Sequence, residues 1–445
     1  MKKDLIIKKA SQTVPSQRQL DYQNLELSAM IYLGMGSYSN LGDATGTETP
    51  RRFNPSMFDS DQWCKELSEA GFKGVILPAK YYDGFCLWPS KFTDYTVEHS
   101  DWREGKGDVV FEVKQSCEKY NLKFGLLYSL FDKHEEQFGK DKDYTEYVKN
   151  QLTELLTNYG DIYYISLDDA IFEQDKALYN MEEFTELIRK LQPNCVIGGC
   201  GMDIRWGGNS RAQSRESEWS VIPEKIKSPM LTDLGNISNL KKAENIIWRP
   251  AEYDLALYPY KFYYERAQLQ IAPLHKVIDA YINTVGNNSS LIIGVAPNLQ
   301  GQFSELQSKI LVNFKSGLDL LFQNKQLPAS VTASNEDKNH KADQILKSGY
   351  WKSEESTKKS ELIFNFKNEQ EIKYIELAEN TETGQQIEKF SIYGFENNKF
   401  KKIYSGYTVG RKKICEINKE ITTSKIKLVI ERSRKFATIC NFCIY

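Results

Sequence analysis

The chain has 445 residues, with 58 Lys or Arg against 60 Asp or Glu, a near balance that excludes the basic field of a nucleic-acid-binding surface. Hydrophobic residues make up 40% of it, enough for two or three domains or one large barrel with an appendage, yet no stretch approaches the ~20 apolar residues that span a bilayer. The opening MKKDLIIKK is short of the roughly seven-residue apolar core of a secretory leader, and eight scattered cysteines form no disulfide framework, so a reducing, cytoplasmic location is expected.

From residue 25 to about 322, short apolar runs alternate with segments of helical periodicity, the pattern of parallel strands crossed by helices. Strands are predicted at Leu27–Leu33, Gly74–Ala79, Lys123–Ser129, Tyr163–Asp168, Cys195–Gly199, Ile246–Arg249 and Ser290–Val295. Over Tyr144–Tyr159, the residues Leu152, Leu155, Leu156 and Tyr159 recur at helical spacing, and Gly160 supplies the stop. Ser304-Glu-Leu-Gln307 reads as a capping box opening a helix that runs to about Phe322. Seven or eight such units predict a (β/α)8-like TIM barrel over residues 1–326. Reactive groups in such a barrel belong at the C-terminal ends of the strands, where Tyr81, Tyr128, Asp168 and Arg249 would lie. The polar stretch 327–344 is expected to be a linker. Beyond it the apolar period becomes two. Ile426, Leu428 and Ile430 share one face, and Glu396-Asn-Asn398 makes a hairpin turn, so residues 345–445 are expected to form a β-sandwich.

The residues that carry chemistry lie in separated motifs. Ala79–Tyr95 reads AKYYDGFCLWPSKFTDY, and Val14–Leu27 reads VPSQRQLDYQNLEL. Further along come FTDYTVEHSDWREGKGDVV at Phe92–Val110, GMDIRWGGN at Gly201–Asn209, IWRPAEYD at Ile247–Asp254 and AYINTVGNNSSLIIGVAPNLQG at Ala280–Gly301. In order and content they resemble glycoside hydrolase family 29, the retaining α-L-fucosidases, in its α-1,3/4-type branch. The resemblance runs over nearly the whole chain, and the C-terminal sandwich resembles a galactose-binding-like module.

The resemblance implies that Asp168, in NYGDIYYISLDDA, holds the nucleophile position, with Asp169 in place of a glycine. Retaining hydrolysis also needs a second carboxyl about 5–5.5 Å away to protonate the leaving oxygen. The acid/base position is occupied by Ser210, whose hydroxyl cannot cycle as acid and then base. Glu216 and Glu218, a few residues on, are the available substitutes. The positions that read the sugar have changed as well. Tyr32, Tyr81, Tyr82 and Tyr264 stand for histidines, Tyr258 for an arginine and Lys261 for a tryptophan. Trp88, Tyr128, Trp206, Trp219 and Glu252 match the family and are expected to line the cleft, although tryptophans at such turns serve equally as core plugs. No HExxH, P-loop, GxSxG or EF-hand pattern is present, so no cofactor or metal is expected. The expected function is α-L-fucosidase-type hydrolysis of fucosylated or related glycans with weak or altered activity. The alternative is a non-catalytic glycan- or protein-binding descendant.

Overall fold

The computed structural model describes residues 2–39, 44–167, 181–199, 202–225, 233–355, 357 and 359–445. In chain order its first ten strands are β1 (Leu27–Ile31), β2 (Gly74–Lys80), β3 (Lys123–Tyr128), β4 (Tyr164–Ser166), β5 (Val196–Gly198), β6 (Arg205–Trp206), β7 (Val221–Pro223), β8 (Ile246–Trp248), β9 (Ala251–Ala256) and β10 (Ser289–Val295). Eight of them form one parallel sheet in the order β5-β4-β3-β2-β1-β10-β9-β6. Strands β1 and β2 are buried at every position, because helices cover the outside while side chains fill the inside. The sheet curls until its two ends face each other. There Tyr164 of β4 donates its hydroxyl to Glu252 of β9 at 2.8 Å, and the Gly199 N–H reaches the same carboxylate at 3.4 Å. A Cβ at Gly198 would stand 2.2 Å from the Tyr164 hydroxyl, so the end of β5 admits only glycine beside this contact. The expected (β/α)8-like TIM barrel is thus present, nearly closed and sealed by a polar bridge.

One expected barrel strand is not part of the barrel. Ile246–Trp248 pairs antiparallel with Val221–Pro223 in a separate two-stranded ribbon, and Arg249 leaves it to donate to the Glu224 carbonyl at 3.0 Å. The barrel strand is the next segment, β9, which pairs in parallel with β10 and β6. Its sequence, AEYDLA, places two carboxylates among the apolar residues, so the run IIW beside it looks more like a buried strand. The helix Glu305–Leu321 starts where expected, with the Gln307 N–H donating to the Ser304 hydroxyl at 3.3 Å. The Gln307 side chain does not return to the cap; it accepts the Ala296 N–H at 3.1 Å and ties the helix to the end of β10.

The C-terminal domain is a sandwich of a five-stranded and a three-stranded antiparallel sheet. Ile426, Leu428 and Ile430 face its core, and Phe364 and Phe442 stack between the sheets with centroids 3.8 Å apart. Asn397 and Asn398 take φ of 51° and 62°, the left-handed pair that a two-residue hairpin turn demands. The domain begins earlier than expected. Ser330–Ala333, inside the stretch read as a linker, pairs antiparallel with Ser360–Glu371. Of these four residues only Val331 is buried, which left the strand without an apolar signal. The sandwich is fastened to the barrel by Asn288, whose amide donates to the Glu218 carbonyl at 3.0 Å and accepts the Arg411 N–H at 2.8 Å. Gln385 adds a bond to the same carbonyl at 3.0 Å and accepts the Ser220 N–H at 2.7 Å.

Candidate active site at the barrel mouth

The C-terminal ends of β1, β2, β3 and β9 deliver an unbroken line of aromatic rings. Tyr32 follows β1, Tyr81 and Tyr82 follow β2, Phe131 lies just beyond β3, and Phe262 comes from the loop after β9. Tyr32 meets Tyr81 edge-on at 6.3 Å and Phe262 at 5.5 Å, and Phe262 meets Tyr81 at 5.2 Å. Tyr81 stacks on Tyr82 at 4.2 Å, and Tyr82 meets Phe131 edge-on at 6.1 Å. The Lys261 ammonium lies 5.7 Å from the Tyr32 ring. Phe262 fits because Gly36 lacks a side chain: a Cβ there would stand 2.8 Å from the ring. The line runs from Tyr32, buried at 4% exposure, to Phe131 at 39%. Of the expected substrate-binding tyrosines, Tyr32, Tyr81 and Tyr82 therefore share the mouth.

The turn after β2 and the turn after β3 hold this line in place. Asp83, buried between them, accepts the Phe85 N–H at 2.8 Å. Burial pushes its carboxyl up to about 7, more than the backbone bonds offset. Lys80, at 0% exposure, donates to Asp132 at 2.9 Å and lies 4.3 Å from the Tyr128 ring. Asp132 also accepts the N–H groups of His134 and Glu135 at 3.0 Å each, and Lys133 N–H reaches the Tyr82 carbonyl at 2.9 Å. The position of Phe131 is thereby locked to that of Tyr82.

On the opposite wall, Trp206 of β6 stands in register with Glu252 of β9, both on the face turned inward. The Trp206 indole N–H donates to Asp254 at 2.7 Å, so Asp254, two residues past Glu252, also faces the interior. Burial holds the Glu252 carboxyl above its usual range, against the hydroxyls of Tyr22 and Tyr164. Ser210 lies beyond Trp206 on an exposed turn. Asn209 stitches that turn together by accepting the N–H groups of Arg211 and Gln213, and the Ala212 N–H anchors it to the Asp254 carbonyl at 3.1 Å. Asp168 and its neighbour Asp169 lie outside the described residues.

The two glutamates available as acids are placed elsewhere. Glu218 is fully buried, gripped by Arg205, by Arg215 and by the Tyr253 hydroxyl at 2.6 Å. Burial alone would raise its pKa, but the two guanidinium groups overcome that and keep the carboxyl below its ordinary value. It is an anchor beneath the sandwich, where the Thr408 hydroxyl accepts its N–H at 3.1 Å. Glu216 is exposed and borders a cleft between barrel and sandwich, together with Tyr404 and Lys413.

Several residues expected in the cleft turn away from it. Tyr128 donates to Gln151 at 2.7 Å and Trp88 to Glu154 at 2.9 Å, so both pack outward against the helix Asp141–Asn158. Trp219 carries the Arg434 guanidinium 3.8 Å from its ring and borders a cavity of about 1030 Å³ between barrel and sandwich. Tyr258 is buried, with its hydroxyl 3.1 Å from that of Ser304. Tyr264 sits on the rim, edge-on to Tyr260 at 5.8 Å. Phe262, Phe131 and Asp254 are mouth residues that the sequence reading passed over. The alternation in AEYDLA could have flagged Asp254 as inward-facing, whereas nothing local distinguishes Phe131 from a surface phenylalanine.

A family model described as Alpha-L-fucosidase matches residues 17–319, and one described as F5/8 type C domain matches residues 330–442. Alpha-L-fucosidase 1 of Arabidopsis thaliana is 31% identical over 444 residues, which cover 97% of this chain and 87% of that protein. A candidate α-L-fucosidase from Bacteroides ovatus, known by crystal structure, superposes with a TM-score of 0.89 at 30% identity, over 100% of this chain and 76% of that one. A Ruminococcus gnavus GH29 fucosidase crystallised with fucose shares the fold at 24% identity, with a TM-score of 0.86 over 98% of this chain and 95% of that one. The barrel, the sandwich and the ordered motifs agree: the chain belongs to the α-L-fucosidase family, glycoside hydrolase family 29.

Proposed function

We propose that this fucosidase-type hydrolase acts on α-L-fucosides through Asp168 as nucleophile and without an internal general acid. The reading is carried by a Glu218 locked between two arginines, taken with Ser210, which the family resemblance puts at the acid/base position. A hydroxyl cannot supply the proton, and a carboxyl held below its ordinary pKa is ionised near neutrality. Bond cleavage then depends on how well the leaving group carries negative charge. Sugar leaving groups carry it poorly, so natural fucosylated glycans are slow substrates and activated fucosides are better ones. The phenol-lined mouth supports the same reading. Where imidazoles would bond the hydroxyls of fucose, Tyr32, Tyr81 and Tyr82 offer rings packed against each other, edge-on and stacked.

The test is hydrolysis of α-L-fucosyl fluoride and of a fucosylated trisaccharide by the pure protein and by Asp168→Asn. Cleavage of the fluoride, lost in the variant, with the trisaccharide at background is the expected result. Ordinary turnover of the trisaccharide would show that an acid is present. The second reading, a glycan-binding protein without hydrolysis, draws on the same Ser210 and on the ring-filled mouth. It predicts no cleavage of the fluoride.

A further inference from the structure

We infer that the aglycone side of this site reads an aromatic ring, so that the substrates are glycosides of phenols and not of sugars. The inference rests on the reading above and adds an independent observation: the aromatic line does not end inside the mouth. It continues through Tyr82 to Phe131, one of the exposed large apolar side chains, and Phe131 is backed by Phe138 at 4.9 Å and then by Tyr144. Its backbone is fixed on both sides. The Ser129 hydroxyl accepts the Phe131 N–H at 3.1 Å and donates to its carbonyl at 2.8 Å, while Asp132 is tied to Lys80. An exposed ring held this firmly is a preorganised stacking surface, available without the entropy cost of ordering it. In the segment after β9 that also supplies Phe262, Tyr260 at 53% exposure pairs with Tyr264, and Leu269 is 84% exposed. A planar apolar aglycone would find aromatic faces here, and the missing acid is what separates a phenol from a sugar as leaving group.

Chemistry and surface ask for the same leaving group. In the first step a carboxylate oxygen of Asp168 bonds to the anomeric carbon as the glycosidic C–O bond breaks. The bonding pair departs on the phenolic oxygen as phenoxide, which the ring stabilises without a donated proton. In the second step water displaces the carboxylate from the anomeric carbon. Its proton passes to solvent and thence to the phenoxide. The sum is aryl glycoside and water giving free sugar and phenol.

The experiment separates ring recognition from leaving-group acidity and from the glycosidase reading itself. Three α-L-fucosides are compared on the pure protein: the fluoride, the phenyl glycoside, and the hexafluoroisopropyl glycoside, whose alcohol is acidic like phenol but has no ring. The expected kcat/KM for phenyl exceeds that for hexafluoroisopropyl by about tenfold, the worth of one or two aromatic contacts. Phe131→Ala should lower the phenyl value about three- to tenfold more than the fluoride value. Phe131→Tyr, which keeps the ring, should restore it. Equal values for phenyl and hexafluoroisopropyl, or equal losses on phenyl and fluoride in Phe131→Ala, would overturn the inference while leaving the hydrolase reading intact. If the fluoride is not cleaved, the hydrolase reading fails, and ring recognition is read from saturation-transfer NMR with phenyl fucoside. Enhancement of the phenyl protons that Phe131→Ala removes supports it, and no enhancement refutes it.

Discussion

Replacing Lys80 by Met tests whether one buried ion pair holds the mouth together. Lys80 and Asp132 have side chains 0% and 1% exposed, with 2.9 Å between nitrogen and oxygen. Burial alone would lower the lysine pKa and raise that of the aspartate. The partner's charge reverses both, so Lys80 is held above and Asp132 below its ordinary value. Methionine fills most of the lysine stem but leaves Asp132 as a buried carboxylate with only the N–H groups of His134 and Glu135. Removing one member of such a pair costs about 3–5 kcal/mol. At about 2.1 cal/mol/K of unfolding entropy per residue over 445 residues, that is a fall in Tm of about 3–5 °C. The double variant Lys80→Met/Asp132→Asn should recover much of the loss, because the amide oxygen still accepts the two N–H groups and no charge is stranded. Calorimetry between about pH 2 and 5, where a depressed carboxyl titrates, gives a further check. A depressed folded pKa for Asp132 means its stabilisation is present above the unfolded value, near pH 4, and fades as pH falls through the folded one. The single variant should lose that acid-side dependence. A Tm within 1 °C of the parent protein, or a double variant no better than the single one, would refute the reasoning (~1 °C being well below the expected shift).

Three further outcomes follow from the same structure. Asp83 carries a folded pKa raised to about 7, so it stabilises the fold most at low pH and loses that contribution as pH rises through 7. Asp83→Asn, which keeps an acceptor for the Phe85 N–H, should flatten the decline in Tm between about pH 4 and 7, a comparison made by differential scanning fluorimetry. Asn288→Ala removes the amide that joins the Glu218 carbonyl to the Arg411 N–H, and it should cost about 1–3 kcal/mol per stranded group and split the calorimetric transition into barrel and sandwich components; a single unshifted transition would contradict this. Ser210→Glu alone should leave trisaccharide hydrolysis near background, because Tyr32, Tyr81 and Tyr82 still fill the mouth with rings. Adding Tyr32→His, Tyr81→His and Tyr82→His to that change should be needed, and strong activity from Ser210→Glu by itself, read as kcat/KM on a natural fucoside, would show that the phenols are tolerated.

Much of the architecture was legible in the order of residues, because strand and helix periods are local properties. β1, β2, β3 and β10 are apolar runs between turn residues, and the NN hairpin requires only that two neighbouring residues tolerate positive φ. The motifs around Tyr81, Ser210 and Glu252 likewise named the family from sequence alone. The sequence left three matters open, each for want of long-range contact information. It pointed to Ile246–Arg249 and passed over Ala251–Ala256 as the barrel strand, since the inward carboxylates of β9 are stabilised by Trp206, Tyr164 and Tyr22, which lie 48, 88 and 230 residues away along the chain. It could not tell which tryptophans and tyrosines face the mouth: Trp88 and Tyr128 point outward because Glu154 and Gln151 wait on a neighbouring helix. And it offered Glu218 as a spare acid, when Arg205 and Arg215 converge on that carboxylate in the folded chain. A carboxylate's chemistry is set by the charges around it, and those charges are assembled by the fold.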